Sequence, residues 1–569
     1  MAQEDSETPV VTLEAERFSK FLGRSVTVGE IAEKIPWMGV DIEDVEEESI
    51  KIEYNPNRPD LGIITGLAKA YRGITRQEVG LIPYEATGDG YRLIVEESVR
   101  RVRPYVASAV ARDIPMDEET LIEIISLQED LHEGLGRGRR RVSIGIHNLD
   151  VIEFPVYYRA VGGEEVRFTP LEEEGEMSPL EILEGLEKGR AYAHILEGSD
   201  LYPIIVDAGG NVLSFPPIIN ADYTRLSPDT RNLFFDVTAT DMRTAEKVLN
   251  VLLTSIIDYG GEAWSVSVEA PHYAKVTPDL SSKEIQVEVK AIRTLMGLDL
   301  SNDEILDSLR ACRLDGEFID EGKIRVLIPP YRVDVMHPVD IVEEVSIGYG
   351  YWRIEPTFPR TFQIGEKDRR RSFLSSVSEV LMGLGLQEVM NLTLSSMEEQ
   401  FTKMGLEPGD HVKVKNPKSL EYEVLRRWII PDLLEVLRTS KKEQYPQRIF
   451  EIGIVAYRRQ GVQEENHLGI AVTHGEAGYS DAKSILDALL QVLGIEARGE
   501  PISHPSFIEG RVGKIVGEGR DLGIIGEISP HVLEGFQLDH PVAAMEMNLE
   551  ELYNIYLEKT LGGAGVDRS

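Results

Sequence analysis

The chain has 569 residues, 98 of them acidic and 60 basic, so its formal net charge at pH 7 is -38. This length predicts roughly three to five domains, and the acidity argues against wrapping a polyanion except through local basic patches. The single cysteine, Cys312, excludes a disulfide framework. Neither a signal peptide nor a stretch of ~20 apolar residues is apparent. We therefore expect a cytoplasmic protein that does not enter a membrane.

Residues 1–85 are predicted to form a small N-terminal α+β domain. The segment VTLEAERFSKFLG (11–23) has helical periodicity, whereas SIKIEYNP (49–56) is typical of a strand. NPNRPDLGIITGLAKAYRG (55–73) reads as a proline-fixed turn that leads into a second helix.

Residues 86–270 are predicted to form a larger α/β domain. A helix is expected over DEETLIEIISLQEDLHEGLG (117–136), and strands and turns over RVSIGIHNL (141–149), YPIIVDAGGNVLSFPPIIN (202–220) and NLFFDVTATD (232–241). The basic run GRGRRR (136–141) lies between the helix and the first of these strands. An exposed, solvated loop is the favoured interpretation of this run, and phosphate contact is the alternative.

Residues 271–356 are predicted to form a winged-helix-like domain. A strand over KEIQVEV (283–289) precedes a short helix through AIRTLMG (291–297) and a second helix, SNDEILDSLRAC (301–312). Ser301 and Glu304 have the spacing of a capping box at the start of the second helix. Two short helices followed by paired strands suggest the winged-helix arrangement.

Four carboxylates stand close together near the end of this domain. They are Asp334, Asp340, Glu343 and Glu344, within PPYRVDVMHPVDIVEEVSIGYGYW (329–352). Proline is favoured at a first helical position, so a helix is predicted from Pro338, with the last three carboxylates on one face. Such a group could hold a hard cation, magnesium or calcium, or it could be a solvated acidic face.

Residues 357–569 are predicted to form an antiparallel sheet with flanking helices. An amphipathic helix is expected over DRRRSFLSSVSEVLMGLG (368–385). Strands are expected over QEVMNLTLSS (387–396), RIFEIGIVAYR (448–458) and HLGIAVTH (467–474), alternating with helices over IIPDLLEVLRTSK (429–441) and DAKSILDALLQVLG (481–494).

Five motifs in a fixed order resemble the beta subunit of phenylalanine–tRNA ligase, in its short archaeal or eukaryotic cytosolic form. They are NPNRPDLGIITGLAKAYRG; GRGRRRVSIGIHNLD; VLSFPPIINAD; PPYRVDVMHPVDIVEE with GYGYWRIEP; and HPSFIEGR with GRDLGIIGEISPHVLEGF. The resemblance extends from about residue 10 to about residue 556. It implies a subunit of an aminoacyl-tRNA synthetase, an ATP-dependent ligase of protein biosynthesis.

The resemblance also implies partners and cofactors. The family assembles as a heterotetramer of two alpha and two beta subunits that binds tRNA-Phe, with ATP used at the alpha subunit. Asp334, Asp340, Glu343 and Glu344 correspond to family ligands of Mg²⁺, shared with alpha. The last domain corresponds to a catalytically degenerate class II synthetase core. Arg426 and Arg427 resemble the ATP-binding arginine of such a core, but no glycine-rich arginine motif completes the pocket.

The family's beta subunit further carries an editing centre, which hydrolyses tyrosine mischarged onto tRNA-Phe. An apolar pocket rejects an isostere with an extra hydroxyl only ~10²-fold, so a second site that uses the hydroxyl is needed. By resemblance the tRNA-editing-type domain is 86–270, and its pocket residues are Ser214, Asn220, Asp236 and Thr238, with Asp236 facing the phenol. The same residues also suit a plain strand and turns.

Three functions are therefore compared. The chain could be an enzyme subunit that supports charging and proofreads, or a non-catalytic scaffold that binds alpha and tRNA with an inactive pocket. A stand-alone magnesium hydrolase is a third interpretation, for which no nucleophile or base is arranged beside the carboxylates.

Overall fold

The computed structural model describes residues 9–359 and 361–560, and the chain divides into two compact units, 1–358 and 359–569. Among the described residues, unit 1 contains three sheets and unit 2 contains two, with helices packed against them, so the fold is a multidomain mixture of α and β structure. The finer division at residues 85, 270 and 356 stays a prediction. In the described part of the chain, no helix is both long and apolar enough to cross a bilayer.

The N-terminal segment of unit 1 packs three helices on a three-stranded sheet. Its elements are β1 (Val10–Glu14), α1 (Ala15–Leu22), α2 (Val28–Lys34), β2 (Asp41–Val45), β3 (Ser49–Glu53) and α3 (Ile64–Ile74), with the strand order β1-β3-β2. The predicted first helix is half strand: β1 pairs antiparallel with β3 and buries Leu13. The helix begins only at Ala15, because sheet pairing outweighs local helical periodicity here.

The central segment of unit 1 is built on a ten-stranded mixed sheet. Its elements are β4 (Ala86–Val95), β5 (Tyr105–Arg112), α4 (Glu118–Glu133), β6 (Val142–Asn148), β7 (Val156–Val161), α5 (Pro179–Gly185), α6 (Glu187–Tyr192), β8 (Tyr202–Val206), β9 (Val212–Phe215), β10 (Ile219–Asn220), β11 (Leu233–Ala239), α7 (Met242–Ile257), β12 (Glu262–Ala270) and β13 (Tyr273–Thr277). The order is β10-β9-β8-β7-β4-β12-β5-β11-β6, and β13 pairs with β12. The apolar helix α7 packs on the sheet and buries Val248, Leu252 and Ile256.

The third segment of unit 1 contains the four carboxylates. It comprises β14 (Lys283–Glu288), α8 (Val289–Met296), α9 (Asn302–Ala311), β15 (Asp315–Asp320), β16 (Lys323–Ile328) and α10 (Pro338–Tyr349), with the strand order β14-β16-β15. The predicted capping box of Ser301 and Glu304 is confirmed, as is the helix start at Pro338. Helices α9 and α10 bury Leu309 and Val345 in one core.

Unit 2 has a seven-stranded sheet with helices packed on it. Its elements are α11 (Arg369–Gly383), β17 (Gln387–Glu388), β18 (Leu394–Ser395), β19 (Val412–Lys413), β20 (Val424–Leu425), α12 (Ile430–Thr439), β21 (Gln447–Arg458), β22 (Val462–Thr473), α13 (Tyr479–Leu493), β23 (Ala497–Pro501), β24 (Phe507–Gly517), β25 (Arg520–Ile528), α14 (Pro530–Gly535), β26 (Val542–Asn548) and α15 (Leu549–Thr560). The order β17-β21-β22-β26-β25-β24-β23 is antiparallel except for β17 beside β21, and β18-β20-β19 form a small second sheet. The predicted strand 387–396 is split between β17 and β18.

Candidate editing cavity

A cavity of about 250 Å³ lies in the central segment of unit 1. Strands β6, β9, β10 and β11 and helix α4 contribute to its lining. Although β9 and β11 stand near opposite ends of the sheet, the Ser214 hydroxyl on β9 lies 3.0 Å from a carboxylate oxygen of Asp236 on β11. The sheet therefore curls until its two ends meet at the cavity.

Asp236 lies at the centre of a buried hydrogen-bond chain. Its Oδ2 accepts a bond from the Ser214 hydroxyl at 3.0 Å and lies 2.7 Å from Nε2 of His147. Nδ1 of His147 lies 2.7 Å from the Thr224 hydroxyl. With Nε2 as the donor, the imidazole is held as one tautomer between carboxylate and hydroxyl. Asp236 is part of the cavity lining. Within residues 9–359, no donor forms a hydrogen bond with its other carboxylate oxygen, Oδ1.

Gly145 makes room for this pair of side chains. It lies directly across from Asp236 in the pairing of β6 with β11. A Cβ at this position would stand 2.3 Å from Oδ2 of Asp236 and 2.5 Å from Nε2 of His147. Any side chain on residue 145 would therefore push the carboxylate and the imidazole apart.

The other two predicted pocket residues differ in their surroundings. Asn220 lines the cavity and faces Ser214 across the β9–β10 pair. Thr238 is fully buried but is not part of the lining, and its hydroxyl accepts a bond of 3.0 Å from Nε of Arg103. Burial lowers the pKa of Arg103 to about 10. Thr238 thus contacts a buried guanidinium, whereas Ser214, Asn220 and Asp236 share the cavity.

A second polar group borders the cavity on the side of α4. The buried Arg139 donates to both carboxylate oxygens of Glu129 at 3.0 Å and to the Ile218 carbonyl at 3.0 Å. Burial opposes ionisation of Glu129, but His132 and Arg139 outweigh it and lower its pKa to about 2. Because these charges compensate one another, this wall is polar without a large net charge.

The arrangement suits recognition of a hydroxyl better than nucleophilic catalysis. In a hydrolytic triad the histidine stands between the serine and the carboxylate. Here the carboxylate of Asp236 stands between Ser214 and His147, so the serine has no adjacent base. A carboxylate with donors on one oxygen and none on the other is a strong acceptor for a substrate O–H. His147 is the residue that sequence analysis missed, because it meets Asp236 only through the pairing of β6 with β11.

The four carboxylates of the third segment do not converge on one point. Asp334 and Glu344 both accept from the buried guanidinium of Arg332, at 2.7 and 2.9 Å. Asp340 accepts from the backbone amides of residues 336 and 337 at 2.7 Å, and Glu343 is exposed. No group of three or more potential metal ligands occurs in the described part of the chain. These residues alone do not fit a magnesium ion, and the site shared with an alpha subunit stays a prediction.

Unit 2 contains two buried charge groups of its own. Arg426 donates to Glu451 at 2.7 Å, to Asp432 at 3.2 Å and to a backbone carbonyl at 2.8 Å. His467 lies 2.8 Å from Glu546. Burial lowers the pKa of His467, but neighbouring carboxylates outweigh burial and raise it to about 9. The charge of Arg426 is therefore used inside the protein.

Comparison with known proteins identifies the class of this chain. Residues 285–351 match the model "tRNA synthetase B5 domain", and residues 354–549 match "Phenylalanyl tRNA synthetase beta chain CLM domain". Both are domains of aminoacyl-tRNA synthetases, so the third segment of unit 1 and most of unit 2 are synthetase domains.

Whole-chain comparisons specify the family. The phenylalanine–tRNA ligase beta subunits of Archaeoglobus fulgidus and Pyrococcus furiosus are 39% and 40% identical to it, over 96% and 94% of this chain and 99% and 98% of their own lengths. An N-terminal fragment of the Pyrococcus horikoshii beta subunit superposes with a TM-score of 0.58 at 36% identity, covering 60% of this chain and 99% of the fragment. The chain belongs to the family of phenylalanine–tRNA ligase beta subunits and is part of an aminoacyl-tRNA synthetase.

Proposed function

We propose that this chain assembles with an alpha subunit, charges tRNA-Phe with phenylalanine at the alpha subunit, and hydrolyses tyrosine mischarged onto that tRNA in its own cavity. Its relatives are named beta subunits, which supports an alpha partner. The stoichiometry of two alpha and two beta subunits and a cytoplasmic location belong to the same proposal.

The place of Asp236 in the cavity lining, with no donor bonded to its Oδ1 within residues 9–359, is the observation that carries the editing function. A phenol that enters the cavity can donate its O–H to Oδ1, while Ser214 and His147 hold Oδ2 in place. Phenylalanine has no such donor and leaves the buried carboxylate without that bond. A site that hydrogen-bonds a substrate hydroxyl rejects the analogue without the hydroxyl strongly. An apolar pocket rejects the analogue with an extra hydroxyl only weakly.

Hydrolysis in this cavity requires the ester to be placed and water to attack it. Ser214 and Asp236 would hold the phenol end, which leaves the ester for the rest of the lining to position. The polar wall of Glu129, His132 and Arg139 faces the same space. Burial lowers the pKa of His132 and favours its neutral form. In that form, Nε2 of His132 accepts a bond from the Ile144 amide at 2.8 Å. Placing substrate and water together supplies much of the acceleration in such reactions.

The ligase reaction is assigned to alpha because, in the described part of unit 2, Arg426 is not available to bind ATP. Of the two residues that resemble the ATP-binding arginine, Arg426 is buried against Glu451 and Asp432, and Arg427 lies over the Tyr457 ring, 5.9 Å from its centroid. A triphosphate could bind the Arg426 guanidinium only by displacing two buried carboxylates, which is unfavourable. We therefore propose that unit 2 is a catalytically degenerate class II core and that ATP binds at the alpha subunit.

Two finer assignments remain proposals of the same kind. The third segment of unit 1 is proposed to be a winged-helix-like domain, supported by its order of strand, two helices, two strands and helix. Mg²⁺ shared with alpha is proposed at Asp334, Asp340, Glu343 and Glu344. Because Arg332 already pairs with two of these carboxylates, that site depends on ligands from alpha and on movement of Arg332.

The test is deacylation of tyrosyl-tRNA-Phe by this chain co-expressed with its alpha subunit. The wild-type complex should hydrolyse the ester quickly, and Asp236→Ala should lose at least about tenfold in rate, because the acceptor for the phenol is gone. Charging with phenylalanine should be unchanged in the variant and serves as the control for folding and assembly. Intact charging without deacylation by the wild type would instead support a scaffold with an inactive pocket.

A further inference from the structure

The turn between α4 and β6 has an unusual backbone. Three consecutive residues have positive φ: Arg137 at 51°, Gly138 at 57° and Arg139 at 62°. Left-handed backbone is disfavoured for residues with a Cβ, and two of these three are arginines. Such backbone persists only where surrounding contacts enforce it, and it occurs preferentially at functional sites.

Several contacts hold this turn in place. Gly136 precedes it so closely that a Cβ would stand 2.4 Å from the His132 carbonyl oxygen. The buried guanidinium of Arg103 donates to the carbonyls of Arg139 at 3.2 Å and Arg140 at 3.3 Å. The Arg139 side chain is itself buried and lies over the Tyr192 ring, 4.5 Å from its centroid. The conformation of the turn is therefore fixed from inside the protein.

This fixed turn presents two charges to solvent. The side chains of Arg137 and Arg140 are exposed, and neither makes an ion pair within residues 9–359. Among the other exposed arginines in the described part of unit 1, Arg92 and Arg100 are paired with carboxylates at 2.9 and 2.8 Å, whereas Arg101 and Arg243 make no ion pair. What distinguishes Arg137 and Arg140 is that both stand on a turn whose backbone is fixed from inside the protein.

The turn adjoins the opening of the candidate editing cavity. Arg139 lines the cavity, as do the exposed side chains of Lys188 and Arg225. Lys188 makes no ion pair in the described part of unit 1, and the carboxylate nearest to Arg225 is 3.7 Å away. Glu172 is an exposed acidic residue on the same lining. Glu129 and Asp236 are further carboxylates of the lining, and Oε2 of the exposed Glu133 would lie 3.8 Å from a Cβ at Gly138 in the turn. Because Glu129 is paired with Arg139 and Asp236 is buried, Arg137, Arg140 and Lys188 are, among the described residues, the cations without an ion pair near the opening.

We propose that Arg137 and Arg140 bind backbone phosphates of the single-stranded 3′ end that carries the amino-acid ester into the cavity. The inference rests on the proposed editing function and assigns it a nucleic-acid subsite. Guanidinium groups bind phosphate strongly and position a strand without reading its sequence. A fixed turn presents both groups without the entropy loss of ordering a flexible loop. The cavity then receives the ester, while the turn holds the nucleotides that precede it.

The experiment uses the Arg137→Gly/Arg140→Ala variant of the complex with alpha. Glycine keeps the positive φ of residue 137, so the turn is preserved while both charges are removed. We expect KM for deacylation of tyrosyl-tRNA-Phe to rise about tenfold with kcat unchanged, and the slope of log KM against log salt to fall by roughly 1 to 1.5. Hydrolysis of tyrosyl-adenosine, which has no phosphate, should not change. The Arg92→Ala/Arg100→Ala variant is matched in charge and should resemble the wild type.

A second measurement keeps this inference separate from the editing function. Binding of a short oligoribonucleotide ending in CCA to the same complexes is followed by fluorescence anisotropy. About tenfold weaker binding by the turn variant supports the subsite even if the wild-type complex does not hydrolyse the ester. Unchanged oligonucleotide binding, or an unchanged KM in an active complex, would overturn the proposal, as would an equal loss in the Arg92→Ala/Arg100→Ala control. A turn that instead binds an acidic protein segment would also give unchanged oligonucleotide binding.

Discussion

Replacement of Arg332 by methionine should strongly destabilise unit 1. The guanidinium is 2% exposed, and its attraction to Asp334 and Glu344 outweighs burial and holds its pKa well above the ordinary value. Arg332→Met leaves these two carboxylates in a low-dielectric environment without their cation. Removing one partner of a buried ion pair costs about 3–5 kcal/mol. We expect that loss in the free energy of unfolding of the full chain, measured by urea denaturation.

Two further variants make the result decisive. Arg325→Ala breaks an exposed pair with Glu317 in the same segment and should cost less than about 1 kcal/mol. Arg332→Met combined with Asp334→Asn and Glu344→Gln should recover part of the loss, because no uncompensated charge remains. A cost for Arg332→Met no larger than that for Arg325→Ala would refute the reasoning. Full recovery of Arg332→Met by added Mg²⁺ would show that a metal ion can replace the guanidinium.

Three other changes should give measurable results. Gly145→Ala should reduce deacylation of tyrosyl-tRNA by the complex roughly 10²-fold, because the added methyl group displaces the Asp236 carboxylate. An active Gly145→Ala enzyme would contradict the cavity geometry. The pKa of His467 in the folded protein is raised from 6.5 to about 9. Its contribution to stability, at most about 3 kcal/mol, is therefore complete below pH 6.5 and is lost as the pH rises through 9. Thermal melting between pH 6 and pH 10 should show this loss of stability, and His467→Gln should reduce it. Asp340→Ala/Glu343→Ala should lower the magnesium content of the complex if the shared metal site exists, and unchanged metal content and assembly would remove that assignment.

The sequence was most informative where local patterns determine structure. The capping box at Ser301, the helix start at Pro338 and the amphipathic helix after Asp368 follow from short-range rules, and the structure confirms them. Local patterns failed where long-range pairing decides. The segment at residues 11–23 has helical periodicity, yet its first part forms β1 because β3 offers a partner.

The candidate cavity was only partly predictable for the same reason. The structure brings together Ser214, Asn220 and Asp236, which the family resemblance suggested. His147 could not be paired with Asp236 from sequence, because the two residues are 89 positions apart and meet only through the β6–β11 register. Thr238 shares the strand face of Asp236 but meets Arg103 two residues further along the strand.

The four carboxylates show a related limit of sequence spacing. The positions of Asp340, Glu343 and Glu344 predicted a common helix face, but spacing could not show that the buried Arg332 would pair with Glu344 and with Asp334. Nor could it show that Asp340 would bind backbone amides at the helix start. Spacing describes which side chains can meet, whereas buried counter-charges decide which of them do.

Binding of non-hydrolysable aminoacyl-adenosine analogues to the complex tests the central claim most directly. The 3′-amide-linked tyrosyl analogue should bind the wild-type complex at least about 10²-fold more tightly than the phenylalanyl analogue, because only tyrosine donates to Asp236. Asp236→Ala should abolish this preference while leaving the phenylalanyl analogue's weak affinity unchanged. Equal affinities of the wild type for the two analogues, or a preference that survives Asp236→Ala, would contradict the assignment of this cavity to tyrosine recognition.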